Sequence, residues 1–378
     1  MSAEKPISLA RPVIGAEEEH RVLEVLRSGH LSLGPRLEQF ERAFAAYLGA
    51  THASAVSSGT AGLHLALRAI GVSDGDEVIT SPFSFVASAN VMLYERARPV
   101  FADIDPVTLN LSVDATAAAV TERTTAILPV HVFGYPADIP ALERLGLPIV
   151  EDACEALGAV HRNGTPVGTG ATHPAVFGFY PNKQLTTGEG GMVTTADATI
   201  KERVDSERNQ GRAPDMGWLD HDRLGFNYRL SDVACALGLA QLSHLDSMLA
   251  ARARVASWYR EALTGIDGLD LPCPDAGGAR RGWFVFVVQL PRGVDREGTV
   301  RALGARGVSS KPYFPAIHLM SFYRERFGHR EGEFPVCEDV AARSIALPFF
   351  PEMSEDQVAR VAQALGGVVQ EARAGVRP

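Results

Sequence analysis

Lys183 stands where a lysine can act chemically. It follows the apolar run 177–180 and comes directly before the glycine-rich segment 186–191. An amine at the end of an apolar strand is partly desolvated, and a glycine-rich loop gives it room to move. A lysine that forms and exchanges a Schiff base requires both conditions. An ordinary solvated loop lysine would show the same local pattern, so Lys183 alone leaves both interpretations open.

A carboxylate ends a second apolar run. Asp152 follows Ile149, Val150 and Glu151, and groups at the carboxyl ends of parallel strands face the crevice in which ligands bind. A carboxylate in that place can keep a pyridine nitrogen protonated, which pyridoxal 5'-phosphate (PLP) needs in order to act as an electron sink. Capping of the next turn is the alternative role for such an aspartate.

Residues 56–61 predict a strand, a tight turn and the start of a helix. The helix begins near Gly59 and buries one face, because apolar residues recur at i, i+3, i+4 and i+7: Leu63, Ala66, Leu67 and Ile70. The free amide groups of its first turn, with the hydroxyls of Ser58 and Thr60, can bind a phosphate. A plain capped helix would use the same residues, and the segment lacks the spacing of a nucleoside-triphosphate loop.

The phosphate segment, the acid and the lysine follow one another in an order that resembles the sugar aminotransferases of the DegT/DnrJ/EryC1/StrS family. The resemblance covers nearly the whole chain and implies an α/β protein of fold type I and a PLP-dependent transaminase. It rests on Phe40 and Glu41 and on the ordered segments 28–35, 58–61, 82–90, 131–134, 151–156, 177–191, 227–232, 311–318 and 347–348.

The resemblance implies a role for each matching residue. Lys183 is similar to the lysine that bonds to the cofactor and shuttles protons, and Asp152 to the partner of the pyridinium nitrogen. Phe85 matches the aromatic residue that stacks on the cofactor ring, and a flat ring suits that task. The resemblance implies that Gly59 and Thr60 bind the phosphate, together with Ser58.

Further contacts are implied for other positions. Glu155 stands where relatives often carry glutamine or histidine near the ring oxygen of the cofactor, and Asn182 precedes the lysine. Asn227 and Arg229 match positions that reach the phosphate and the active site of a neighbouring subunit. Relatives frequently have a serine at the position of Gly178, so either the remaining hydroxyl and amide groups suffice for the phosphate or water fills the gap.

The implied reaction moves an amino group from an amino acid, with glutamate as expected donor, to a keto group of a nucleotide-linked deoxysugar. The resemblance also implies a homodimer with shared active sites. Retention of Lys183 favours transamination over the dehydrating branch of the family, in which histidine replaces this lysine. Tyr313 and His318, in a proline-fixed aromatic loop, and Arg229 are expected near the substrate.

Three alternatives compete with this function. A cyclitol (inosose) aminotransferase would share the cofactor residues and differ only in the size and charge of its pocket. A non-catalytic PLP-fold regulatory protein is disfavoured because the lysine, the acid and the phosphate segment are all retained. A nicotinamide dehydrogenase is disfavoured because the glycine cluster around Gly188 lacks the Gly-x-Gly-x-x-Gly pattern, and this cluster indicates loop flexibility near Lys183.

The composition indicates a globular chain. Its 378 residues, 46% of them hydrophobic, suffice for two domains, and a net charge of -9 disfavours binding to nucleic acid or anionic membranes. The N-terminus lacks an apolar h-region and no stretch approaches about eighteen apolar residues, so we expect a cytoplasmic protein. No metal site is expected, because the four cysteines are scattered: Cys154, Cys235, Cys273 and Cys337.

Apolar runs alternate with amphipathic helices, which predicts a large domain with a mainly parallel, seven-stranded sheet flanked by helices. We place this PLP-binding domain at 1–250 and a smaller C-terminal α/β domain at 251–378, with the extreme N-terminus free to pack on the latter. The predicted strands of the large domain are 53–56, 77–80, 100–102, 126–130, 149–152, 175–179 and 191–194. The predicted helical segments include 17–27, 36–48, 231–263 and 296–304, and a last helix opens with a capping box of Ser354 and Gln357.

Overall fold

The computed structural model describes residues 5–213 and 220–375. Two ends of the chain lie outside the described residues. They are residues 1–4, in the N-terminal segment that lacks an apolar h-region, and residues 376–378, at the end of the predicted C-terminal domain. The strands are β1 (His52–Val56), β2 (Glu77–Thr80), β3 (Arg98–Phe101), β4 (Thr124–Leu128), β5 (Glu151–Asp152), β6 (Ala175–Gly178), β7 (Gly191–Thr195), β8 (Phe286–Gln289), β9 (Lys311–Pro312) and β10 (Ser344–Leu347). The helices are α1 (Ala16–Ser28), α2 (Pro35–Leu48), α3 (Gly59–Ala69), α4 (Ala87–Tyr94), α5 (Val113–Ala119), α6 (Ile139–Glu143), α7 (Ala198–Arg208), α8 (Asp232–Ser243), α9 (Leu245–Leu263), α10 (Arg296–Ala305), α11 (Ser321–Phe327), α12 (Pro335–Arg343) and α13 (Glu355–Arg373).

The first seven strands form one mixed sheet. Hydrogen-bonded ladders give the partial orders β1-β7-β6-β5 and β3-β2-β4, and parallel bridges of Ile127 with Ile149 and of Val130 with Asp152 join the two parts. β7 runs antiparallel to both β6 and β1, whereas the pairs β5–β6, β2–β3 and β2–β4 are parallel. The mainly parallel, seven-stranded sheet predicted from the sequence is confirmed.

Local chemistry moves some strand ends away from the predicted ones. β4 ends at Leu128, before the predicted end at residue 130, because Pro129 has no N–H with which to continue a ladder. Only Glu151 and Asp152 of the predicted strand 149–152 form a ladder strand, while Ile149 contributes a single bridge. The strand end that carries Asp152 therefore lies where the sequence pattern predicted it.

The helix after β1 buries the predicted face. Leu63, Ala66 and Leu67 of α3 are buried against the sheet, and each buried leucine contributes about 1.5–3 kcal/mol relative to exposure. This packing fixes the N-terminus of α3 at the edge of the sheet, next to the ends of β6 and β7.

A second core forms around a smaller antiparallel sheet of order β8-β10-β9. It includes buried residues from Val255 of α9 to Val369 of α13, and also Ile7, which bridges to Val308. The predicted capping box of Ser354 and Gln357 is present at the start of α13. The proposed boundary at residue 250 falls inside α9 and stays a prediction.

The predicted helical stretch 231–263 is two helices. α8 and α9 meet at a 64° bend, where His244 leaves helical geometry with φ -124° and ψ 18°. Among the residues that the structure describes, no single helix is long and apolar enough to cross a membrane, whereas this bent pair satisfies the length and composition criteria. α8 packs on α1 and α2, and α9 packs on α13.

Candidate active site

A cavity of about 520 Å³ opens at the carboxyl ends of β5 and β6, beside the N-terminus of α3. Strand ends and a helix start meet here because β1 leads directly into α3 and lies next to β7 in the sheet. The cavity collects most of the residues singled out from the sequence: Ser58, Gly59, Thr60, Phe85, Asp152, Glu155, Asn182, Lys183 and Tyr313.

The N-terminus of α3 forms one wall, and glycine permits its close approach to the sheet. A Cβ atom on Gly59 would lie 2.7 Å from Cys154 Sγ, and one on Gly191 would lie 2.7 Å from the carbonyl oxygen of Phe177. Ser58 caps the helix, since its Oγ accepts a hydrogen bond of 3.0 Å from the Ala61 amide. The preceding amide groups of the first turn point out of the helix end, where an anion is stabilised.

Asp152 presents a carboxylate from the end of β5 and is almost fully buried. Its Oδ2 accepts a hydrogen bond of 2.7 Å from Ser88 Oγ, which in turn lies 2.9 Å from Ser84 Oγ. Its Oδ1 accepts one of 3.1 Å from the Cys154 amide. The local capping role weighed for this aspartate thus occupies one oxygen, while both contacts fix the carboxylate at the cavity wall.

Lys183 and Glu155 meet inside the cavity. Lys183 Nζ lies 3.5 Å from Glu155 Oε1 and 3.9 Å from the centroid of the Phe284 ring. Oε2 of Glu155 accepts a hydrogen bond of 2.9 Å from the Phe133 amide. Burial raises the pKa of Glu155, and the Lys183 charge and the Phe133 amide oppose this only in part. An amine beside a carboxyl group of raised pKa is suited to proton exchange.

The loop that carries Lys183 is tied down by hydrogen bonds. The amide of Thr187 donates to the carbonyl of Phe179 at 3.0 Å, and the amide of Phe179 donates to the carbonyl of Gly190 at 2.9 Å. A Cβ on Gly190 would lie 2.2 Å from Thr187 Oγ1. Close packing therefore accounts for Gly190, whereas a Cβ on Gly188 would meet no atom within 4 Å. The flexibility expected of the cluster around Gly188 stays a prediction.

Two aromatic residues frame the cavity differently. Phe85 is 60% exposed at the rim, an unusual position for a phenylalanine unless a ligand or partner covers it. Tyr313 is largely enclosed, and burial, with the charge of Glu155, raises the pKa of its phenol above the ordinary value. Tyr313 thus stays protonated and can donate a hydrogen bond into the cavity.

Three predicted site residues lie outside this cavity. Asn227 is exposed, and Arg229 Nη1 donates to Asn209 Oδ1 at 3.0 Å. His318 is fully buried: its Nε2 lies 3.0 Å from Glu338 Oε1, and burial lowers its pKa. The prediction that His318 lines the substrate pocket is wrong, because the residue turns inward and packs on the ring of Phe334.

Sequence reasoning missed several residues around the cavity. Ser88, in the first turn of α4, donates to the Asp152 carboxylate, and Ser84, in the bend before α4, bonds to Ser88. Phe284, which contacts the Lys183 amine, is 101 positions away in the chain and gives no local signal.

The family model of the DegT/DnrJ/EryC1/StrS aminotransferases matches residues 12–366. The chain belongs to this family. It is 38% identical over 384 residues to the spore coat polysaccharide biosynthesis protein SpsC of Bacillus subtilis, with 97% of each chain covered. It is 37% identical over 370 residues to the GDP-perosamine synthase of Caulobacter vibrioides, with 96% of this chain and 98% of that protein covered. Among solved structures, DesV of S. venezuelae has a TM-score of 0.89 at 35% identity, with 96% and 99% covered.

Family membership makes the protein a PLP-dependent aminotransferase of fold type I. The cavity fits this cofactor on three independent points. The start of α3 offers amide groups for the phosphate, Asp152 offers a fixed carboxylate for the ring nitrogen, and Lys183 offers the amine.

Proposed function

We propose that this aminotransferase moves an amino group from glutamate to the keto group of a nucleotide-linked deoxysugar. The observation that carries the proposal is the convergence of Lys183, Asp152 and the N-terminus of α3 on one cavity. The sugar-related names of SpsC and GDP-perosamine synthase support the choice of substrate class. Membership of an aminotransferase family disfavours the non-catalytic regulatory alternative.

Each group in the cavity has a defined task in the proposed reaction. Bound PLP supplies an electron sink that stabilises the negative charge left when a carbon beside the nitrogen loses its proton. The amides of Gly59 and Thr60 hold the phosphate, and Asp152 holds the ring nitrogen. Lys183 Nζ accepts the α-proton of the amino donor and later delivers a proton to the sugar carbon that receives nitrogen.

Glu155 and Tyr313 both line the cavity that contains the amine. Glu155 lies within 3.5 Å of Lys183 Nζ and can hold the amine in place while it is free of the cofactor. Tyr313, as a buried donor, is placed to bind an oxygen of the sugar or of the cofactor. Phe85 at the rim covers one face of the cofactor ring, as its exposure in the isolated chain suggests.

The charges of the cavity support a homodimer with shared active sites. Its described lining includes one cation, Lys183, against Asp152, Glu155 and Glu189. The carboxylates of glutamate and the diphosphate of a nucleotide sugar need further cations. We propose that Asn227 and Arg229 of a second copy complete the site, as the family resemblance implies.

Exposed apolar residues support a second copy as the occupant of the adjoining surface. Phe85 and Tyr180 are exposed at the cavity, and Leu224 is 70% exposed in the segment before Asn227. Leu31 is also exposed, and its carbonyl oxygen bonds to the amide of Asp232 at the start of α8. Large apolar side chains left exposed beside a cavity are candidates for coverage by a partner chain.

Mass spectrometry of products tests the substrate class. Purified enzyme would be incubated with glutamate and, separately, with nucleotide 3-keto sugars, nucleotide 4-keto sugars and an inosose. The expected products are an amino sugar that is still attached to its nucleotide and 2-oxoglutarate from the glutamate donor. Product from the inosose alone would replace the proposal with the cyclitol aminotransferase.

A further inference from the structure

Arg252 occupies a core position in α9. It is 3% exposed and lies on the buried stripe of the helix, whose other members are Leu245, Met248, Val255, Ala256, Tyr259 and Leu263. Burial alone accounts for the lowering of the pKa of its guanidinium to about 10. Among the described residues, no carboxylate contributes to this shift. A buried cation without a counterion is unfavourable unless hydrogen bonds compensate its lost hydration.

The guanidinium forms its hydrogen bonds with the main chain of two separate segments. Nη1 donates to the carbonyl of Phe284 at 3.0 Å. Nη2 donates to the carbonyl of Lys183 at 2.9 Å and approaches that of Asn182 at 3.4 Å. Hydrogen bonds from a charged donor are stronger than neutral ones, so they offset part of the cost of burial.

The two segments that Arg252 joins are the two sides of one contact. Lys183 Nζ lies 3.9 Å from the centroid of the Phe284 ring, and Arg252 bonds to the carbonyl oxygens of both residues. Gln184 adds a parallel link, because its Nε2 donates to the carbonyl of Gly282 at 3.0 Å and to that of Glu155 at 2.6 Å. The lysine main chain, the aromatic ring and Glu155 are thus held in one frame.

We propose that Arg252 is a positioning residue for Lys183, holding the lysine main chain at a fixed distance from Phe284 so that the amine reaches the reacting carbon. The inference rests on the proposed role of Lys183. Only arginine offers two nitrogen donors in a rigid fork that can serve both carbonyl groups at once. A lysine at this position would carry all its donors on one atom and would lack the planar fork whose two nitrogens reach the two segments separately.

The proposal explains why the helix keeps a charge where its pattern favours an apolar residue. An apolar side chain would fill the same place in the core but leave the carbonyls of Lys183 and Phe284 without these donors. α9 packs on α13, so the same arginine links the lysine loop to the second core. A displacement of about 1 Å at a reacting group lowers a rate by about a hundredfold.

Two variants and a matched control test the role of Arg252. Arg252→Met suits the apolar stripe and removes the donors, and Arg252→Lys keeps a cation but not the fork. Arg254→Met, on the exposed side of the same helix, is the control. Hydrogen exchange of the cofactor-free protein, followed by mass spectrometry of the peptide that contains residues 180–187, reports directly on the lysine loop. Single-turnover kinetics with glutamate report on proton transfer at equal cofactor content.

The expected result separates positioning from simple stability. Both Arg252 variants exchange faster in the lysine peptide, and kcat falls by about tenfold to a hundredfold while KM changes by less than about threefold. The Arg254 variant matches wild type in both measurements. Two results would overturn the proposal. In the first, both Arg252 variants show the hydrogen exchange and the kcat of wild type. In the second, the variants lose stability but keep an unchanged kcat per cofactor-loaded site.

Failure of the proposed role of Lys183, on which this inference rests, would look different. Borohydride reduction of the wild-type protein would then leave no cofactor mass on Lys183. If that mass is present and the Arg252 variants behave like wild type, only the positioning inference fails. If Arg252→Met does not fold, Arg252→Lys carries the test, because a long cation retains most of the packing at this site.

Discussion

Replacement of Asp152 by asparagine separates its two possible roles, because the amide keeps the shape of the side chain and removes its charge. The asparagine oxygen can accept from the Cys154 amide in place of Oδ1. Its NH2 group can donate to Ser88 Oγ, whose hydroxyl then turns toward Ser84 Oγ. The local hydrogen bonds are therefore conserved in number, and we expect the free energy of unfolding to change by about 1 kcal/mol or less.

The effect on catalysis is expected to be much larger. A neutral amide cannot hold a protonated ring nitrogen, and breaking a buried charge pair by removing one partner costs about 3–5 kcal/mol. At about 1.4 kcal/mol for each factor of ten in rate, kcat/KM falls by a factor of about 10² to a few times 10³. Ser88→Ala, which keeps the charge and loses one hydrogen bond to it, is the matched comparison, with an expected loss of about tenfold.

Stopped-flow measurement of the half-reaction with glutamate provides the assay. Chemical denaturation and the cofactor content of each preparation establish that the variants are folded and loaded. If Asp152→Asn reacts within about threefold of wild type at equal cofactor content, the aspartate serves only as a cap for the Cys154 amide, and its assignment to the ring nitrogen is refuted.

Three further predictions follow from the geometry. Gly59→Ala places a Cβ 2.7 Å from a sulfur and is expected to cost about 1–3 kcal/mol in urea denaturation, whereas a Cβ on Gly178 would meet its nearest atoms at 3.4 Å and is tolerated. Mixing inactive Lys183→Ala protein with an inactive Asn227→Ala variant restores activity, because one site of a mixed dimer carries neither defect. Burial raises the pKa of Glu151, but two histidines outweigh it and lower the pKa to about 2 from an ordinary 4.5. Its stabilisation is present above pH 4.5 and disappears as the pH falls toward 2. Glu151→Gln therefore lowers the free energy of unfolding by about 3 kcal/mol at neutral pH. Near pH 2 the substitution has little effect on the free energy of unfolding, because Glu151 then takes up a proton in the native protein as well.

Each of these predictions has a clear opposite outcome. Equal stability of the Gly59→Ala and Gly178→Ala proteins would contradict the close packing of α3 on the sheet. No recovery of activity after demonstrated subunit exchange would contradict shared sites. A Glu151→Gln protein whose loss of stability is the same at every pH would show that size or polarity, and not the charge of Glu151, matters.

The core of the site could be predicted because it is built from strand ends. Asp152 follows an apolar run at the end of β5, Lys183 follows β6 and Gly59 follows β1, and strand ends of one sheet meet at a shared edge. Local patterns of burial and spacing are sufficient for such residues. The same reasoning located all seven strands of the sheet, although Pro129 and the short β5 shifted some ends.

Other features depend on contacts that local patterns do not contain. His318 turns inward because it packs on Phe334 and bonds to Glu338. The apolar stripe of α9 predicts an apolar residue at position 252, and only the contact with the Phe284 carbonyl explains the arginine. The roles of Asn227 and Arg229 require a second chain, so the homodimer, like the cytoplasmic location, stays a prediction.

The most direct test of the account is the identity of the lysine that bonds to PLP. The purified, PLP-loaded protein would be reduced with borohydride, digested and mapped by mass spectrometry, in parallel with Lys183→Ala. We expect a cofactor-derived mass on the peptide that contains Lys183 in the unmodified sequence, and neither this mass nor turnover in Lys183→Ala. A trapped mass on Lys201 or on any other lysine, or turnover by Lys183→Ala, would contradict this expectation.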